Sequence, residues 1–87
     1  MARAKSLVAS VTTAEYDALI AVITEARIAA GATREGLSKK LGQSLPYIRK
    51  IETKVRRLDA VEMLQIAAAL ELDPVELYRR FVERTRT

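Results

Sequence analysis

The chain has 87 residues, 15 Lys or Arg against 11 Asp or Glu, a net charge of +4, and neither cysteine nor histidine. That length suits one small domain, and the missing Cys and His exclude disulfides and the usual zinc ligand sets. Apolar residues make up 49%, with three Gly and two Pro, a balance that favours helices over a turn-rich β fold.

The amino-terminal "MARAKSLVAS" has the basic start of a signal peptide without its long apolar middle. No apolar run approaches the roughly 18 residues a membrane span requires. Residues 1–11 are read as a basic arm, disordered on its own, and residues 12–87 as one domain of a soluble cytoplasmic protein.

A first helix opens with Thr12 and Glu15, spaced as a capping box. Tyr16, Leu19, Ile20, Ile23 and Arg27 follow at helical spacing, and Gly31 marks the stop. Thr33 caps a second helix, with Leu37 and Leu41 on one face and Gly42 at its end. Gly36 inside it costs about 1 kcal/mol relative to alanine. A third helix runs from Ser44, the cap candidate, to Glu52, with Ile48 and Ile51 inward. Pro46 falls in its first turn, where the missing donor is harmless. After the basic loop "TKVRR", Asp59 caps a fourth helix whose expected inward face is Val61, Leu64, Ala67 or Ala68, and Leu70. Asp73, Pro74 and Glu76 open a fifth as cap, first-turn proline and acidic third residue. It carries Val75, Leu77, Tyr78, Phe81 and Val82. Five helices, short connections and no strand signal predict an all-α domain.

Only Gly42, Gln43 and Ser44 separate the second and third helices, the spacing of a helix-turn-helix. A generic helical hairpin has the same outline, so charge must distinguish them. Residues 34–57 hold eight cations (Arg34, Lys39, Lys40, Arg49, Lys50, Lys54, Arg56, Arg57) against Glu35 and Glu52, a local net of +6. The rest of the chain has seven cations and nine acids. Such clustering is the footprint of polyanion binding; the plain alternative is a solubilising face.

The segment "EARIAAGATREGLSKKLGQSLPYIRKIETKVRRLDAVEMLQIAAALELDPVEL" resembles the lambda-repressor and Cro type of helix-turn-helix domain, also called the xenobiotic-response-element type, over about residues 20–78. The pieces "RIAAG", "LSKKLG", "YIRKIE", "RRLD" and "IAAALELDP" occur in the family's order and spacing. The resemblance implies a five-helix lambda-repressor-like fold, here with extended first and last helices, that binds DNA and usually acts as a homodimer in bacteria or their phages. It also implies an ion pair between Arg27 and Glu52.

The departures matter. Ala32 stands where the family commonly has Leu, a truncation of about 2–3 kcal/mol if the space stays empty, with Tyr16, Tyr78 or Phe81 as candidate fillers. Arg34 replaces a glutamine that touches phosphate. Leu45 and Pro46 replace Gln and Ser that read base edges. Leu45 can meet a thymine methyl but makes no bidentate pair, so polar readout passes to Arg49 and Lys50, with guanine the expected target of Arg49. Lys54 and Arg56 follow the recognition helix, where the family meets the DNA backbone.

The expected DNA-contacting set is Arg34, Gln43, Ser44, Leu45, Pro46, Tyr47, Arg49, Lys50, Thr53, Lys54 and Arg56. Tyr47 either gives its hydroxyl to a phosphate or covers the core. Arg57 either touches phosphate or is held by an acid such as Glu52 or Asp59. Lys39 and Lys40 are weaker candidates, and Arg3 and Lys5 of the arm are within reach of DNA. Tyr78, Phe81 and Val82 form a candidate dimer seam, unless the last helix packs on the first through Tyr16, Leu19 and Ile20.

The expected function is sequence-specific binding of double-stranded DNA as a transcriptional regulator. The favoured form is a homodimeric repressor on a pseudo-palindromic operator, acting at the nucleoid. One alternative is an antitoxin that autoregulates its operon; another is a protein-interaction module with a weakened DNA surface. No nucleophile, general base or phosphate loop is recognisable, so neither enzyme activity nor a cofactor or metal is expected.

Overall fold

The computed structural model describes residues 13–86; the basic arm and the expected Thr12 cap lie outside them. Local capping chemistry sets where each helix begins. Thr13 caps α1 (Ala14–Ala29), its hydroxyl accepting from the Tyr16 amide at 3.1 Å. This places Glu15 and Asp17 in the first turn, at the positive end of the helix dipole. Thr33 caps α2 (Arg34–Lys40) through the Gly36 amide at 2.9 Å. After α3 (Tyr47–Glu52), Asp59 and Glu62 form a reciprocal capping box on α4 (Ala60–Ala69). Asp73 caps α5 (Pro74–Thr85), with Pro74 in its first turn. The five helices are joined without any strand among the described residues.

Four helices stop in the same way. A residue in the left-handed region follows the cap, and two successive amides turn back onto the last carbonyls. Gly31 (φ +74°) and Gly42 (φ +70°) hold this position after α1 and α2, and the non-glycine residues Lys54 (φ +66°) and Glu71 (φ +59°) hold it after α3 and α4. At Lys54 the bonds run from its own amide to Ile51 O and from the Val55 amide to Lys50 O.

The core joins all five helices through Ile23, Leu37, Ile48, Ile51, Ile66 and Leu77, each essentially inaccessible to solvent. α1 packs against α3 and α5, α2 against α3 and α4, and α4 against α5. The expected face of α4 needs correction. Ala67 and the cap residue Leu70 are buried as expected, but Val61 and Leu64 are exposed, and the first turns of α4 turn Met63 and Ile66 inward in their place. Either pair continues to Ala67 and Leu70 at helical spacing, and "AVEMLQIAAA" is apolar nearly all round, so periodicity does not choose between them.

On α5, Leu77 is buried and Phe81 packs against the core, while Val75 and Tyr78 face outward. The helix lies against α1, and Arg84 reaches Glu25 at 2.7 Å. Phe81 is partly buried there, and its ring meets Tyr78 edge-on at 5.4 Å.

At Ala32 the truncated side chain leaves an open cleft of about 160 Å³ between Ala30, Gly36, Leu37, Lys40, Ala69 and Leu70. None of the three aromatic residues expected to fill it lines it. A Cβ at Gly36 would lie 2.8 Å from Thr33 Oγ1, so the hydroxyl that caps the same helix would have to shift; Tyr16 and Glu62 hold the equivalent place against the caps Thr13 and Asp59, and the structure gives Gly36 no further explanation.

Candidate nucleic-acid interface

The turn between α2 and α3 begins at Gly42, whose positive φ lets the Gln43 amide reach back to Ser38 O at 3.0 Å. The chain then makes a tight turn in which the Tyr47 amide bonds to Ser44 O at 3.0 Å. Pro46, not Ser44, occupies the cap position of α3, and it supplies no side-chain cap. The expected capping role of Ser44 is therefore replaced. The substitute comes from ten residues upstream: Ser38 Oγ accepts from the Ile48 amide at 3.0 Å and donates to Arg34 O at 2.8 Å, fully buried between α2 and α3. No local sequence pattern links positions 38 and 48, so motif reading misses it.

The other end of α3 is fixed by charge. Glu52, with a side chain only 1% exposed, receives Arg27 Nε at 2.7 Å, Arg27 Nη2 at 3.0 Å and Arg34 Nε at 2.8 Å. Arg27 also donates to Ala32 O at 2.9 Å. The ion pair that the resemblance implies is present, and it includes a second arginine. Arg34, expected at a phosphate, spends its Nε on Glu52 while its side chain stays 40% exposed. α3 is therefore clamped at its start by a hydroxyl on α2 and at its end by arginines from α1 and α2.

From this clamped helix Arg49 and Lys50 project into solvent and make no ion pair among the described residues. Leu45 is also exposed, and with Pro46, Arg49, Arg34 and Glu35 it lines an open cleft of about 430 Å³. Gln43 and Ser44 lie exposed in the turn. Thr53 is exposed too, its hydroxyl bonded back to Arg49 O at 2.7 Å.

The loop cations are held by neighbouring groups. Lys54 Nζ meets Asp17 Oδ1 at 2.8 Å, and Arg56 meets Glu62 at 2.5 Å while lying over the Tyr47 ring. Arg57 stacks over the Tyr16 ring, its carbon 4.4 Å from the centroid, and the Tyr16 hydroxyl accepts from the Leu58 amide at 2.9 Å. The cations of the Lys54 and Arg56 pairs are exposed to solvent, which screens these ion pairs.

Tyr47 stands apart from the other expected contacts. It is buried among the core residues, which it helps to cover. Burial first, then the charge of Glu62 and a hydrogen bond to it, hold the phenol above its ordinary range, so it remains protonated. Among the described residues no cluster of His, Cys, Asp or Glu is placed to hold a metal ion. No helix there is long and apolar enough to cross a membrane.

The helix-turn-helix family model matches residues 23–77. Among solved structures, the chain is similar to an XRE-family like protein from Pseudomonas syringae pv. tomato str. DC3000. The two are 35% identical with a TM-score of 0.77, and the match covers 83% of this chain and 88% of that one. No curated protein matches the sequence.

Proposed function

The chain belongs to the XRE-type helix-turn-helix family of DNA-binding transcription regulators, and from this premise we propose that it is a repressor that binds a pseudo-palindromic operator as a homodimer. The observation that carries the reading is the surface of residues 34–57. There α3 is locked at both ends, Arg49 and Lys50 are unpaired on it, and Lys54 and Arg56 flank it in solvent-screened ion pairs. Such an arrangement suits base readout by the helix and backbone contact by the loop. Arg34, Gln43, Ser44 and Thr53 complete the rim that faces the duplex, and Tyr47 supports it from beneath. Occlusion of a promoter is the mechanism.

A single helix-turn-helix covers few base pairs, and a two-fold pair on half-sites about one helical turn apart extends the footprint. The seam we assign is the apolar groove of about 460 Å³ between α4 and α5, lined by Ala60, Met63, Leu64, Pro74, Val75 and Tyr78. Of the seam first expected, Tyr78 lines this groove while Phe81 and Val82 do not, and Leu64 and Val75 join it.

In vitro selection of a random duplex library with the purified protein tests the proposal. A palindromic winner supports a dimeric sequence-specific regulator; a winner without symmetry removes the two-fold model, and the absence of any winner removes specific recognition. The same groove favours one second reading, an antitoxin whose groove is occupied by a toxin protein. The native mass of the chain purified from its own host separates the two, since a dimer of this chain alone supports the first.

A further inference from the structure

Leu45 and Pro46 stand beside Arg49 on the wall of one open cleft, with Arg34 and Glu35 completing its rim. Leu45 is 57% exposed and lies outside the core cluster, so folding does not explain an isobutyl group at the mouth of a basic surface. Pro46 adds a second apolar wall at the cap of α3. The Glu35 carboxylate on the rim disfavours a phosphate oxygen at this spot, which turns the cleft towards bases rather than backbone.

Two kinds of group therefore meet in one cleft: an apolar surface and a guanidinium about one helical turn onward. The major-groove edge of DNA presents their complements side by side. A pyrimidine C5-methyl group projects there, as do guanine O6 and N7, and successive base pairs are stacked only about 3.4 Å apart.

Resting on the DNA-binding reading above, we propose that this cleft recognises the C5-methyl group of a pyrimidine adjacent to the guanine contacted by Arg49. Leu45 is the specificity-determining residue for the methyl and Arg49 for the guanine. Thymine carries this methyl permanently and 5-methylcytosine carries it by modification, so one pocket accepts either. A site with cytosine at this step makes binding responsive to DNA methylation.

The test uses the full chain and the duplex obtained by selection, remade with deoxyuridine in place of each thymine, or 5-methylcytosine in place of each cytosine, one position at a time. The expected result is one position per half-site, next to the guanine whose preference is lost in Arg49→Ala, where the methyl strengthens binding about fourfold, the worth of one buried methyl group. A loss with deoxyuridine identifies thymine as the source; a gain with 5-methylcytosine identifies the modified base. Leu45→Ala should bind methylated and unmethylated duplexes equally while keeping the guanine preference and the melting temperature. Equal binding of both forms by the unaltered chain, or a full methyl effect in Leu45→Ala, overturns the proposal. A chain that binds no duplex at any salt concentration overturns the DNA-binding reading itself, a distinct result.

Discussion

The Ser38 hydroxyl accepts a hydrogen bond from the Ile48 amide at 3.0 Å while donating to Arg34 O, joining the middle of one helix to the first turn of the next. Both residues are fully buried, so water has no direct access to the bond. Ser38→Ala leaves the Ile48 N–H unsatisfied, which costs about 1–3 kcal/mol. The melting temperature should fall by about 4–8 °C for each kcal/mol lost in a domain of this size. An unchanged melting curve would mean that α3 finds another partner for its first turn.

The Glu52 cluster makes its two arginines unequal. Arg27 is largely buried and bidentate on Glu52, so Arg27→Ala leaves the buried carboxylate with only the single bond from Arg34 and should destabilise by about 2–3 kcal/mol, below the cost of a fully unpaired buried charge. Arg34 is 40% exposed and makes one bond to Glu52. Arg34→Ala leaves the Arg27 pair intact and should cost about 1 kcal/mol or less, its main effect appearing in DNA affinity. Urea denaturation of both variants checks the ordering, and equal losses would contradict it.

Left-handed backbone at Lys54 and Glu71 is a conformation that side chains disfavour. Glu71→Gly removes that strain against the entropy that glycine restores to the unfolded chain, for a net gain of about 0.5 kcal/mol. Lys54→Gly should gain similarly in backbone strain but weaken DNA binding, because its ammonium is lost. Thermal melting paired with duplex titration separates the two effects. A destabilised Glu71→Gly would show that the side chain at 71 matters more than its backbone.

Base and backbone contacts should respond differently to mutation. Arg49→Ala is expected to cost about 1–3 kcal/mol at the selected site and to relax preference at one base position. Arg56→Ala should weaken binding on all duplexes alike if it makes the proposed phosphate contact. Competition between the selected duplex and a scrambled one measures both. A uniform loss for Arg49→Ala would reassign that residue to the backbone.

Much of the fold was legible because its signals are local. Thr33, Asp59 and Asp73 cap the helices that the sequence assigns to them, Gly31 and Gly42 end theirs, and the spacing of Leu37, Ile48 and Ile51 marks the core. What escaped was settled by packing across the chain. The buried face of α4 shares Ala67 and Leu70 with the expected one, but packing against α2 and α5 selects Met63 and Ile66 over Val61 and Leu64. The α3 cap moved from Ser44 to Ser38 because Pro46 took the cap position and the neighbouring helix brought a hydroxyl within reach. For the candidate site, charge clustering located the surface, but only the side-chain geometry separates unpaired Arg49 and Lys50 from Arg34, Lys54 and Arg56, which are engaged with acids.

The central claim is that residues 34–57 grip the phosphate backbone of duplex DNA. Its most direct test is the dissociation constant for a duplex measured between 50 and 200 mM salt, a range chosen for its sensitivity to counterion release. A dimer that neutralises about six phosphates should give a slope of log affinity against log salt near −5, and one cation removed per protomer, as in Arg56→Ala, should make it shallower by about 2. A flat salt dependence, or a slope unaltered by Arg56→Ala, would contradict the account.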